Sequence, residues 1–143
     1  MTPQDVLRFW RDAGPKAWFK KDDAFDARCR DFEAAHHGAA RGELAAWEQT
    51  AEGALALLIL LDQIPRNLYR GSAHAFAADG LAQRAAERAI NAGFADEVQQ
   101  VIEFPVVEAF RHREIEHAAR RIARGARAGP AAGLMNGSDQ DAR

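Results

Sequence analysis

Residues 53–71 read GALALLILLDQIPRNLYRG, and this stretch decides the fold. Eight apolar residues, Ala54 to Leu61, are followed at once by Asp62 and Gln63, and then by Arg66, Asn67 and Arg70 around Pro65. A surface helix keeps polar residues along one side, so a run that is apolar all round belongs in the middle of a core. The polar groups that end it then start inside the protein or at the floor of a cleft, where each needs a partner. The apolar run is less than half of the roughly 20 residues that a membrane-spanning helix needs, which excludes a transmembrane reading for it.

Working outward, Thr50 before Ala51-Glu52-Gly53 is a good N-cap. The helix it opens should end near Gln63 or Ile64, since Pro65 disfavours helical backbone in the residue before it. Arg66 to Gly71 is expected as an irregular segment or single turn. Ser72 can cap a following helix whose inward residues are Phe76, Ala77, Leu81, Ala85, Ala89 and Ile90, with Asn91-Ala92-Gly93 as its exit. Upstream, Phe25, Cys29, Phe32 and His36 recur on one helical stripe after Asp22 or Asp23, and Gly38 or Gly42 ends that helix. Glu43 to Gln49 is a connector that Trp47 anchors to the core. At the start, Thr2-Pro3-Gln4-Asp5 has the form of a capped helix, which Gly14-Pro15 should stop. Trp18-Phe19 then lies in a loop, as a lid on the core or a wall of a pocket. A fifth helix over residues 98–125, broken at Pro105, is expected before a disordered tail.

Helix-sized segments joined by short connectors, with no alternating strand pattern of any length, predict an all-α fold. About five helices should form one domain over residues 1–125, with residues 126–143 as tail. With 143 residues, 48% hydrophobic, the chain is long enough for one real core and too short for two. A net charge of −2 gives no global attraction to nucleic acid or anionic membrane. The arginines between Arg111 and Arg127 are diluted by Glu114 and Glu116 and lack interleaved aromatics, so they read as a solvated face. The single Cys29 excludes an internal disulfide and suits a reducing compartment, and no secretory signal is visible. A cytoplasmic location is the expectation.

Two readings of the central cluster compete. In one, Arg66, Asn67, Arg70 and His74 are donors to an anion, aided by the amides that open the next helix. In the other, Arg66 pairs with Asp62 or Asp79 and Asn67 closes a turn, making the cluster a brace. Asp79, within a mostly apolar segment, reads as a general base or, better, as an arginine partner. No serine sits in a nucleophile elbow, no glycine-rich phosphate loop is present, and Cys29 lies on an apolar stripe where it would be inert. Glu114-x-x-His117, with His112 and Glu108 or Glu116 nearby, has the spacing of half a di-iron site, but no second such pair occurs and arginines flank it. No metal site and no cofactor are expected. His36-His37 reads as a helix-end pair favoured by the helix dipole.

The combination Leu61-Asp62-Gln63-Ile64-Pro65-Arg66-Asn67-x-x-Arg70-Gly71 with Ala75-Phe76-x-x-Asp79 resembles the bacterial domain of unknown function family 924. Val6-Leu7-x-Phe9-Trp10, Trp18-Phe19, Phe25-Asp26, Gly42-Glu43-Leu44-x-x-Trp47 and Glu52-Gly53-x-Leu55-Ala56-Leu57 agree with it. The resemblance covers about Val6 to Gly93. It implies a tetratricopeptide-like helical fold and no settled activity, substrate or cofactor. Members of that family usually continue into a His-Ser-Glu motif, which this chain lacks; Phe104-Pro105 and His112-x-Glu114 are only an echo of it. The stretch after about Glu97 therefore reads as a degenerate end or a shifted frame, and translation of the flanking DNA in other frames tests this.

The sequence leads to a binding module for an anionic small molecule or acidic peptide, with Asp62, Gln63, Arg66, Asn67, Arg70, His74 and Asp79 as site residues. The alternatives are a hydrolase-like enzyme with Asp62 or Asp79 as base beside arginine electrophiles, and a cluster that is purely structural.

Overall fold

In the computed structural model, which describes residues 1–94 and 96–97, an all-α bundle is built around the helical run that begins at Ala51. Helix α1 covers Pro3–Phe19, α2 Asp23–Cys29, α3 Glu33–Ala40, α4 Ala51–Leu58, α5 Ile64–Leu68 and α6 Asp79–Asn91. Short 3-10 turns at Arg30–Phe32, Ala45–Gln49 and Ala73–Phe76 join them, and no strand occurs among the described residues. The expected fifth helix and tail, with Glu108, His112, Glu114, Glu116 and His117, lie outside the described residues.

Helix α4 is central because from Gly53 onward it is apolar all round. Leu55, Ile59, Leu60 and Ile64 are fully buried along the run that it opens, and each such side chain stabilises the fold by about 1.5–3 kcal/mol through burial. Both α1 and α6 pack on α4, while α2 and α3 pack on α5. From α1 come Val6, Leu7, Phe9 and Trp10, and from α6 come Ala82, Ala85 and Ala86, whose small side chains allow close approach. Phe25, Cys29, Phe32 and His36 are all buried, as their common stripe predicts, although a 3-10 turn interrupts the helix between them.

Local signals work as their chemistry dictates. Thr2 accepts from Asp5 N–H while Asp5 accepts from Thr2 N–H, a complete capping box. Asp22 accepts from the amides of Ala24 and Phe25, and Thr50 accepts from that of Gly53. Gly93 ends α6, with Phe94 N–H reaching the carbonyl of Ala89.

Four expectations change. Gly14, at φ 73°, breaks α1 as predicted, but the backbone resumes helix beyond it, so residues 15–19 are helical rather than a loop. Trp18 there stacks parallel on Trp10, with ring centroids 5.7 Å apart, and donates to the Trp10 carbonyl at 2.8 Å. The helix capped by Ser72 is a 3-10 turn only, and α6 starts at Asp79. This shifts the phase of the apolar face to Ala78, Ala82, Ala85, Ala86 and Ala89, leaving Phe76 and Ile90 more than half exposed. Finally, the central helix does not stop before Pro65. A π-turn over Ile59–Gln63 carries it through the proline to Leu68.

The π-turn is matched to the proline that follows it. Ile64 N–H bonds the carbonyl of Ile59, five residues back. In the same register, residue 65 would bond the carbonyl of Leu60, but proline has no N–H to give. His36 supplies the missing donor from α3, its Nδ1 lying 2.8 Å from the Leu60 oxygen. A buried carbonyl therefore stays paired, and the helix need not end at the proline.

Candidate functional site

Beyond the π-turn, the polar groups of the central stretch form two adjoining networks. Asp62, only 3% exposed, accepts from the side-chain amide of Gln63 and from Arg66 Nη2 at 3.2 Å. The same Nη2 donates to Asp79 Oδ1 at 2.8 Å, and Nη1 donates to the carbonyl of Ala75. The Arg66 guanidinium also lies 4.2 Å from the centre of the Phe76 ring. Asp79 is the first residue of α6, where its charge complements the positive end of the helix dipole. Arg66 thus ties α5, the 3-10 turn and α6 together.

The second network turns towards α2. Arg70 grips Asp26 with a two-pronged fork, Nε to Oδ2 at 2.9 Å and Nη2 to Oδ1 at 2.8 Å, which holds the guanidinium pKa above its usual value. Asn67 orients it: its Oδ1 accepts from Arg70 at 3.1 Å, and its Nδ2 donates to the Gln63 carbonyl at 3.0 Å. Three carboxylates, Asp26, Asp62 and Asp79, thus face two guanidiniums.

A third group of side chains adjoins Arg70. Tyr69 donates its hydroxyl proton to Glu33 at 2.9 Å and accepts from His37 Nε2 at 3.1 Å. Burial and the Glu33 carboxylate push the Tyr69 pKa up, so the phenol stays protonated. His74 meets the Tyr69 ring edge-on at 4.9 Å and is itself exposed. His36 is 4% exposed and hydrogen-bonded to the main chain, so the two adjacent histidines are not simply a pair at a helix end. Among the described residues, no group of three or more His, Cys, Asp or Glu is arranged to hold a metal ion.

The seven residues singled out from the sequence occupy one continuous region, with Asp62, Gln63, Arg66 and Asp79 in the first network and Asn67 with Arg70 in the second. His74 reaches it through Tyr69. Sequence reading missed Asp26, Glu33, Tyr69 and the role of His36. Asp26 and Glu33 fall between the apolar positions of the Phe25 to His36 stripe, and nothing local marks a carboxylate whose partner is 44 or 36 residues away. Phe76, an inward residue by sequence, instead covers the Arg66 guanidinium.

Comparison with known proteins agrees with the fold. A solved structure of a protein of unknown function from Agrobacterium tumefaciens is 49% identical in sequence and superposes with a TM-score of 0.65, over 67% of this chain and 55% of that one. The chain thus spans just over half the length of that relative. No curated protein matches. The family of bacterial proteins of unknown function DUF924 matches residues 6–132, further than the Val6 to Gly93 of the motif resemblance and including the atypical stretch after Glu97. With nearly the whole chain matched and the 61–79 motif assembled into one network, the chain belongs to the DUF924 family.

Proposed function

We propose that this domain is a binding module for the carboxylate or phosphate of an anionic small molecule or acidic peptide end. Arg70 and His74 make the contact, buried Asn67 orients Arg70 for it, and Asp62, Gln63, Arg66 and Asp79 brace the helices behind them. One relationship carries the reading: the Arg70 fork already grips a carboxylate, that of Asp26, in the bidentate geometry suited to an external one, and the Arg70 side chain is 40% exposed. Three carboxylates against two guanidiniums leave no unopposed positive field, so the ligand binds by exchange with Asp26.

Arg66 takes the brace role because its donors go to Asp62, Asp79 and the Ala75 carbonyl, with its face on Phe76. The hydrolase reading has less support. Asp62 is buried and accepts from Gln63 and Arg66, which leaves it poorly placed as a base for a substrate from solvent. The same proposal takes the helix pairs to stack in the tetratricopeptide manner and the protein to work in the bacterial cytoplasm. The family's bacterial description and the single, buried Cys29 support that setting. No helix among the described residues is long and apolar enough to cross a membrane.

Thermal shift with acetate, inorganic phosphate and a peptide ending in two glutamates tests the exchange. Asp26→Asn frees the Arg70 fork and should raise the ligand response, whereas Arg70→Ala should abolish it. Equal responses in wild type and both variants would overturn the reading. Wild-type turnover of a hydrolase substrate panel, lost in Asp62→Asn or Asp79→Asn, would favour the enzyme instead.

A further inference from the structure

The π-turn at Ile59–Gln63 holds Asp62 in place for Arg66, and its free Leu60 carbonyl is capped by a side chain that can change charge. His36 is almost fully buried, with its ring between that carbonyl and a cluster of titratable groups. From its own helix come Glu33 and His37, the latter with its ring centroid 5.0 Å from that of His36. From the chain after α5 comes Tyr69, at 6.1 Å, and from the following 3-10 turn comes His74. Because the Leu60 oxygen can only accept, Nδ1 must carry the hydrogen, and an added proton enters at Nε2.

We infer that His36 is a proton-operated latch on the π-turn: neutral, it joins α3 to Leu60, and charged, it loosens that junction and with it the Asp62–Arg66–Asp79 brace. The hydrogen bond itself survives protonation, so the opening force is the burial of a cation beside two further histidines. Glu33 opposes this force only in part, since it also receives the Tyr69 hydroxyl. Burial is the first cause that lowers the His36 pKa from its ordinary value, followed by His37 and His74, while the Leu60 bond and Glu33 act in the other direction. The coupling runs through a short path, because Leu60 and Asp62 lie within the same π-turn.

Amide hydrogen exchange read by NMR on the full chain between pH 7.5 and 5.5 tests the latch. After correction for intrinsic rates, protection of the Ile64 amide should fall by about tenfold per pH unit below the titration of one linked group. In low urea the Ile64 amide should exchange by a local opening that urea barely promotes, whereas the buried Ala85 and Ala86 of α6 should follow global unfolding. In His36→Asn the amide nitrogen replaces Nδ1 as donor but does not titrate, so Ile64 protection should stay level. Equal pH dependence in wild type and His36→Asn would overturn the latch, as would Ile64 exchange that follows global unfolding at every pH, or no change in wild type. Should His36→Asn not fold, the loss at Ile64 in wild type must level off at the pH where the His36 ring titrates in the folded protein, and a loss that continues well below it overturns the proposal.

Discussion

Arg66 joins Asp79 at 2.8 Å across thirteen residues of chain, and the same Nη2 reaches Asp62 one helical turn behind it. One guanidinium thus spans a nearly sealed carboxylate and a half-exposed one. The Asp62 side chain is 4% exposed and that of Asp79 36%.

Those exposures predict unequal costs. Arg66→Ala strips a buried carboxylate of its cation and should destabilise the fold by about 3–5 kcal/mol. Asp79→Ala removes a partner that water can replace and should cost about 1 kcal/mol or less. Urea unfolding of both variants checks the order; equal losses would mean that Asp62 does not depend on Arg66.

Two glycines should respond oppositely to alanine. A Cβ at Gly53 would lie 2.1 Å from the Trp47 carbonyl oxygen and 2.9 Å from Thr50 Oγ1, so the cap and connector must shift. Gly53→Ala should cost about 1–3 kcal/mol by overpacking. At Gly80 the nearest atom is the end of Arg84, 3.6 Å away, and Gly80→Ala should stabilise by about 0.4–1 kcal/mol. Thermal unfolding followed by circular dichroism distinguishes them.

Cys29 should be chemically silent in the folded protein. It is fully buried, and burial together with Asp26 pushes its thiol pKa up to about 12. Alkylation by iodoacetamide at pH 8 should therefore track global unfolding as urea is added. Fast labelling in buffer would show that the α2 stripe opens locally.

Stability should fall in mild acid because of His36. Its folded pKa lies below the ordinary 6.5, so between the two values the unfolded chain binds more protons. The contribution is complete above about pH 6.5 and is lost as pH drops towards the folded value. Urea midpoints at pH 7.5, 6.5 and 5.5 should decline in wild type and decline less in His36→Asn, which retains a donor for Leu60.

The sequence by itself determined the elements whose physics is local. Thr2, Asp22 and Thr50 cap helices because their side chains reach amides two or three residues on. Gly14 and Gly93 mark breaks, and the stripe from Phe25 to His36 is buried. The 61–79 motif also pointed to one polar region, since its members are close in chain and follow a run that must be interior. The tertiary structure alone decided which charges meet. Arg70 could have faced solvent or a ligand, but α2 delivers Asp26 to it from 44 residues away. Pro65 reads as a helix stop by any local rule, yet the helix passes through it because a π-turn changes the register and His36, from another helix, satisfies the carbonyl that proline leaves free. Such a donor lies far off in sequence, and only packing of α3 against the central helix brings it within reach.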